Sequence, residues 1–126
     1  MTTLRCTAKL LKKLGIRDPG EPPTPENLLG DWFANIICTR HAHYVLLVSE
    51  KSLLPVLTAA RDLDNLVPRF ERQLADVLSV LEVRQELIDR ELERMSPMNF
   101  GRTNNRVVLG SMTDFIQMFS YRYRAI

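Results

Sequence analysis

Two arginines flank a Thr-Asn-Asn cluster near the end of the chain, directly before an apolar run. The five residues are Arg102, Thr103, Asn104, Asn105 and Arg106, and we call them the 102–106 cluster. Guanidinium groups and the free N–H groups at the start of a helix suit a phosphate or carboxylate. The same residues can serve structure alone, with Thr103 or Asn104 capping the helix and both arginines paired with acidic residues. Abundant acidic neighbours favour this second interpretation.

A second polar segment offers partners for those arginines. Asp31 and Asn35 could reach Arg102 or Arg106 if the last helix lies against residues 30–35. One buried junction would then join the two segments, either as a brace or as an anion site with Asp31 or His43 as acid or base. For a brace, Arg106→Ala should lower the melting temperature sharply, since breaking a buried charged pair costs roughly 3–5 kcal/mol.

Possible metal ligands lie close together in one short stretch. Cys38, His41 and His43 fall within six residues, and Cys6 lies on another predicted strand. Thiolates and imidazoles are the ligands that zinc prefers. The spacing is not diagnostic, however, and a free cysteine usually behaves as a small buried hydrophobic residue. We therefore expect no metal and no other cofactor.

Catalytic motifs are missing from the sequence. It contains no G-x-S-x-G elbow, no H-E-x-x-H and no glycine-rich phosphate loop. The many acidic residues of the second half fit a solvated helix face with pairs such as Glu86–Arg90. The sequence therefore favours a protein that is not an enzyme.

Length and composition bound the class of protein. The chain has 126 residues, of which 45% are hydrophobic and 25% charged, as in one ordinary globular domain. We find no signal-peptide pattern and no apolar run that could span a bilayer. Two cysteines are too few for a disulfide scaffold. These features predict a cytoplasmic protein without a membrane partner.

Charge is unevenly distributed. Residues 1–17 carry +5 and residues 96–126 carry +3, whereas residues 18–60 and 61–95 carry −3 each. The basic ends could neutralise the acidic middle, which is the favoured interpretation. They could also form a nucleic-acid surface, with these candidate residues: Arg5, Lys9, Lys12, Lys13, Arg17, Arg122 and Arg124.

The first half predicts strands around one helix. Residues 2–6 are typical of a strand, and Thr7 and Gly15 would cap a helix over residues 8–14. Residues 18–27 predict an exposed proline-rich loop. Residues 32–39 and 44–49 predict a hairpin, apolar on both faces, covered on both sides by the chain or on one side by a partner. Residues 53–58 fit a third meander strand, which Pro55 would place at the edge of the sheet, with a helix as the alternative.

The second half predicts three helices. Apolar residues recur every three or four positions within residues 66–81, within 84–95 and from Val108 to Phe119. Pro97 and Gly101 interrupt the pattern between the last two. The predicted fold is one α+β domain over residues 1–126, with a small, mostly antiparallel sheet and three C-terminal helices.

Three motifs carry a resemblance that extends over nearly the whole chain. They are R-C-T-x-K-L-L (residues 5–11), L-G-D-W-x-A-N (29–35) and R-T-N-N-R-x-x-L-G-S-M (102–112), with E-K-S-L (50–53) between them. The chain resembles an uncharacterised family of small bacterial proteins. The resemblance implies a bacterial, cytosolic, single-domain protein and no established activity.

Two classes of function follow from the sequence. The favoured one is a non-enzymatic binding or regulatory module that self-associates, because a homodimer would cover an exposed sheet face or pair an edge strand. Phe119, Tyr121 and Tyr123 would add aromatic surface. The alternative is a small enzyme or binder of a phosphorylated ligand or nucleic acid that uses the 102–106 cluster.

Overall fold

The computed structural model describes residues 1–40 and 42–124 of the chain, with side chains for all of these except residues 120–124. Its first half contains four strands and one helix: β1 (Thr2–Cys6), α1 (Ala8–Leu14), β2 (Trp32–Cys38), β3 (His43–Ser49) and β4 (Pro55–Ala59). The segment that fitted either a strand or a helix is therefore a strand. It begins at Pro55, whose missing N–H is tolerated because β4 lies at the edge of the sheet.

The second half is helical apart from one strand. A short 3-10 helix (Leu63–Asn65) precedes α2 (Leu66–Val80), α3 (Gln85–Met95), β5 (Met98–Arg102) and α4 (Arg106–Arg124). The predicted α+β class and the three C-terminal helices are confirmed. The strand β5 was not predicted, because it is only five residues long and because Pro97 before it and Gly101 within it are typical of a break between helices.

The five strands form one mixed sheet in the order β4-β3-β2-β1-β5. The antiparallel part, β2-β3-β4, is the hairpin and meander that the sequence predicted. The parallel part was not predicted: β1 pairs in parallel with β2 on one side and with β5 on the other. Parallel neighbours need a long connection, and α1 with the proline-rich loop supplies the one from β1 to β2.

Each face of the sheet is covered by helices of the same chain. On one face Leu4, Trp32 and Val45 belong to a core to which α1, α2 and α3 contribute. On the other face Phe33 and Leu46 belong to a second core that α4 completes. The hairpin is therefore apolar on both faces without needing a partner chain, which is one of the two arrangements that its pattern allowed.

Two glycines place the segments around β1. Gly15 ends α1 in the left-handed conformation with φ 78° and donates its N–H to the Lys12 carbonyl, as the sequence predicted. Gly101 of β5 leaves room for the side chain of Thr3 on the neighbouring strand β1. A Cβ at this position would lie 2.9 Å from Thr3 Cγ2 and 3.6 Å from Pro22 Cγ. Any larger residue at position 101 would collide with β1.

The proline-rich loop is anchored at its end by a buried carboxylate. Glu91 of α3 is 5% exposed and accepts hydrogen bonds from Asn27 Nδ2 (2.8 Å) and from the backbone N–H groups of Leu28 (2.9 Å) and Leu29 (3.1 Å). Asn27 is itself buried, unlike the rest of residues 18–27. The loop is thus fixed where it joins β2. Within the described residues, no helix is both long and apolar enough to cross a lipid bilayer.

Removing this carboxylate should loosen the entry to β2. We expect Glu91→Ala to lower the free energy of unfolding by roughly 2–4 kcal/mol, because it leaves three donors without their charged acceptor. Urea unfolding followed by the fluorescence of the buried Trp32 measures the effect. Glu93→Ala, two residues along α3 and exposed, is the matched control. Equal stability of the two variants would show that Glu91 does not anchor the loop.

Candidate functional site

Asp31 is buried and its carboxylate is fully engaged at the start of β2. It is 1% exposed, accepts the Thr3 backbone N–H at 3.0 Å, and forms an ion pair with Arg5 Nε, also at 3.0 Å. Within the described part of the chain this is the single ion pair found. A buried ion pair therefore braces the start of β2, and its arginine is Arg5 of β1. The expected pairing of Asp31 with Arg102 or Arg106 is wrong.

The 102–106 cluster touches this ion pair through its backbone. Arg5 Nη1 donates to the Arg102 carbonyl at 3.1 Å. The Arg102 side chain turns outward, and its Nη2 donates to the Arg17 carbonyl at 3.4 Å. Arg5 thus links three strands, because it pairs with a carboxylate at the start of β2 and with a carbonyl at the end of β5.

Asn105 caps α4. Its Oδ1 accepts the backbone N–H groups of Val107 (3.0 Å) and Val108 (3.3 Å), which satisfies two of the free donors of the first turn. The cap was expected at Thr103 or Asn104, and that assignment is wrong by one or two positions. Since the Asn105 oxygen already occupies these N–H groups, an anion would have to displace it to bind at the helix start.

Asn35 and Arg106, which the sequence analysis placed in one junction with Asp31, do not contact each other through a described hydrogen bond or ion pair. Asn35 lies on β2 and its Oδ1 accepts the hydroxyl of Thr7 at 2.8 Å, so it is paired across to the start of α1 and not to the cluster. Thr7 occupies the N-cap position of α1, but its side chain makes no capping bond. Arg106 is exposed, and no described carboxylate lies within ion-pair distance of it.

The cysteines that could bind a metal are apart. Cys6 stands beside Ala34 in the β1–β2 ladder, so Cys38 lies four residues further along β2, or roughly 13 Å at the usual rise per residue. Cys38 instead pairs with His43 across the hairpin and is near Lys9 Nζ, at 3.5 Å. His41 lies outside the described residues. Among the described residues no three potential ligands form a cluster that could hold a metal ion.

An open cavity of about 590 Å³ lies at the hairpin end of the sheet, on the side that α1 covers. Its basic side chains are Lys13 from α1, His43 from β3 and Arg61 from the turn after β4. None of the described lining residues is acidic. The rest of the wall is mainly apolar and formed by these residues: Ile36, Ala42, Tyr44, Ala59, Ala60 and Leu63. We call this site the basic cavity.

Several elements fold so that the basic cavity forms. Gly15 ends α1 directly after its basic last turn, which contains Lys12 and Lys13, while Leu10 and Leu11 hold the helix on the sheet. The backbone N–H of Ala60 donates to the His43 carbonyl at 3.0 Å and so keeps the end of β4 beside β3. This site was not predicted from the sequence, because Lys13, His43 and Arg61 come from three separate segments.

The other basic residues of the N-terminal segment are divided between two roles. Lys9, Lys12, Lys13 and Arg17 are exposed, whereas Arg5 is largely buried in its ion pair and unavailable to a partner. Arg122, Arg124, Tyr121 and Tyr123 have no described side chains.

The fold and the basic cavity define an α+β protein with a mixed five-stranded sheet, helices on both faces and a concave site that contains basic side chains. The model of the family described as Domain of unknown function (DUF6933) matches residues 3–125, so the chain belongs to this family. No curated protein and no solved structure matches the chain.

The ion pair predicts which charged residues matter for stability. We expect Asp31→Asn to lower the free energy of unfolding by roughly 3–5 kcal/mol, because it leaves the Arg5 guanidinium unpaired in a largely buried place. Arg106 is exposed and has no described ion-pair partner. Arg106→Ala should therefore change the free energy of unfolding by at most about 0.5 kcal/mol in dilute solution. Urea unfolding of both variants measures the difference. The reverse ranking would restore Arg106 as the bracing arginine.

The two thiols should differ in reactivity. Burial raises the pKa of the Cys6 thiol to about 12, whereas Cys38 is exposed. Near pH 8, close to the ordinary thiol pKa of about 8.5, Cys6 should therefore hold far less of the reactive thiolate. We expect iodoacetamide to label Cys38 alone in the folded protein and both cysteines in urea, as peptide mass spectrometry would show. Labelling of Cys6 in the folded protein at the rate of Cys38 would contradict this.

Proposed function

We propose that this chain is a non-enzymatic binding module that holds a small organic anion in the basic cavity. The observation that supports the proposal is the composition of the cavity wall, in which Lys13, Arg61 and His43 stand over an apolar surface. A volume of about 590 Å³ falls within the range of roughly 300–1,000 Å³ that small-molecule sites occupy.

The chemistry of the wall favours one class of ligand. Lys13 and Arg61 both carry a positive charge at neutral pH, and hydrogen bonds between such groups and a phosphate or carboxylate are stronger than neutral ones. No described acidic residue in the lining opposes an anion. The alanine, leucine and isoleucine side chains suit the hydrocarbon part of the ligand. We therefore propose a compound with one anionic end and an apolar body.

Binding is favoured over catalysis by the surroundings of His43. A catalytic histidine is held in one orientation by a hydrogen bond to a second group, commonly a carboxylate. Among the described residues no side chain makes a hydrogen bond to the His43 imidazole, and the lining contains no described carboxylate or thiol. The basic cavity supplies positive charge and shape, which is sufficient for binding.

The 102–106 cluster is the competing anion site. The backbone N–H groups of Val107 and Val108 at the start of α4 are occupied by the Asn105 side chain, and Asp31 is paired with Arg5, so the exposed side chains of the cluster remain for a ligand without these partners. The basic cavity is the better candidate because its cations surround a concave space. Variants at each site can separate the two.

The proposal predicts that phenyl phosphate stabilises the protein through the basic cavity. A ligand at a hundred times its Kd raises the free energy of unfolding by about 2.7 kcal/mol. We expect Lys13→Ala and Arg61→Ala each to weaken the apparent affinity roughly tenfold or more, since each removes a charge-assisted hydrogen bond. Thermal unfolding with increasing phenyl phosphate, and with inorganic phosphate alone, measures this.

Two control variants make the result decisive. Lys12→Ala removes the same charge from the neighbouring exposed position of α1, which does not line the cavity, and should bind as the wild type does. Arg106→Ala removes a cation from the competing site. Loss of stabilisation in Arg106→Ala but not in Lys13→Ala would place the anion at the 102–106 cluster. If Lys12→Ala and Lys13→Ala lost the stabilisation by phenyl phosphate equally, the anion would be responding to the overall positive charge of the surface and not to the basic cavity. That result would overturn the proposal.

A further inference from the structure

The outward surface of α4 contains a glycine that the fold of one chain does not explain. Gly110 lies within the helix, which spans Arg106–Arg124, and it is exposed. Glycine is the poorest helix former after proline. A Cβ built at this position would have no atom within 4 Å, so the chain's own packing does not exclude a larger residue. A missing side chain on an exposed helix lets another backbone approach closely.

Two opposite charges flank this glycine at equal distances. Arg106 lies four residues before Gly110 and Asp114 lies four residues after it, so all three share one face of the helix. Both charged side chains are exposed, and neither has an ion-pair partner among the described residues. They are eight residues apart, or roughly 12 Å along the helix axis, which is too far for them to pair with each other.

We propose that this face of α4 pairs with α4 of a second copy of the chain. The helices would run antiparallel and cross at Gly110, related by a two-fold axis. Arg106 of each copy then lies opposite Asp114 of the other, which forms two identical ion pairs. Because the pattern is its own complement about Gly110, it fits an isologous dimer better than an unrelated partner.

Exposed apolar side chains on the same face support the pairing. Val107 is 72% exposed and Met118 is 67% exposed. Val107 stands next to the glycine, where the partner helix would cover it. The opposite side of α4 remains packed on the sheet through Val108 and Met112, so the dimer needs no change in the fold. α4 and α1 cover opposite faces of the sheet, so this interface stands independently of the basic cavity.

Charge reversal tests the proposed pairs. Analytical ultracentrifugation over a dilution series from high to low micromolar protein gives the dimer Kd of the wild type and variants. We expect Arg106→Glu and Asp114→Lys, each of which places like charges opposite one another, to raise the Kd at least about tenfold. The double variant restores opposite charges and should dimerise like the wild type. Circular dichroism confirms that each variant is folded; Arg106→Glu places an acidic residue in the first turn, which the helix dipole favours.

Mixing the two single variants gives the sharpest result. One variant carries two acidic residues on this face and the other carries two basic residues, so together they should form a heterodimer that neither forms with itself. Native mass spectrometry identifies it by its mass. A wild type that is monomeric throughout the series, single variants that dimerise as well as the wild type, or a mixture without heterodimer would each overturn the proposal.

Gly110→Leu provides a second measurement that does not depend on charge. The open space around position 110 and the better helix propensity of leucine should leave the monomer at least as stable as the wild type to thermal unfolding. The same side chain would separate the two helices at their crossing, so the dimer Kd should rise at least about tenfold. Val107→Ala should raise the dimer Kd less, since this substitution removes part of the apolar contact without holding the two helices apart. If the Gly110→Leu protein dimerised with the Kd of the wild type, the proposed close crossing of the two α4 helices at Gly110 would be wrong.

Discussion

The buried carboxylate of Asp31 is the interaction on which the parallel half of the sheet depends. It accepts hydrogen bonds from the Thr3 backbone N–H and from Arg5 Nε. The Asp31 carbonyl accepts a further hydrogen bond from the Glu50 backbone N–H at 2.9 Å. Arg5 then reaches the Arg102 carbonyl. A carboxylate that is 1% exposed is stable only when paired, so this one charge holds β1 beside β2 and places β5 against β1.

A second buried carboxylate works in the same way on the other side of the fold. Glu91 orders residues 27–29, and Ser49 Oγ donates to the Leu29 carbonyl at 2.7 Å from the end of the hairpin. The connection between α1 and β2 therefore enters the sheet at a fixed point, although residues 18–26 are largely exposed. Two acidic residues, distant in sequence, thus fix the end of the proline-rich connection where it joins β2.

The sheet separates two surfaces with different properties. α1 and the turn after β4 surround the basic cavity on one side, while α4 presents Gly110 and two charges that pair with no described residue on the other. In the 102–106 cluster, Asn105 and Arg102 make structural contacts, since Asn105 caps α4 and Arg102 bonds to the Arg17 carbonyl. A motif rich in hydrogen-bonding residues is therefore not in itself a ligand site. Its side chains are available to a ligand only if the fold leaves them unused.

Local patterns in the sequence determined most of the elements. Apolar residues at helical spacing predicted α2, α3 and α4, Gly15 predicted the end of α1, and two valine-rich runs predicted the hairpin. The tertiary structure alone decided that β5 joins the parallel side of β1, that Arg5 rather than Arg106 pairs with Asp31, and that Lys13, His43 and Arg61 share a cavity. Periodicity is a property of neighbouring residues, so it reports local conformation and burial. Pairs separated by tens of residues leave no periodic trace, because their proximity arises only when the strands have been ordered in the sheet.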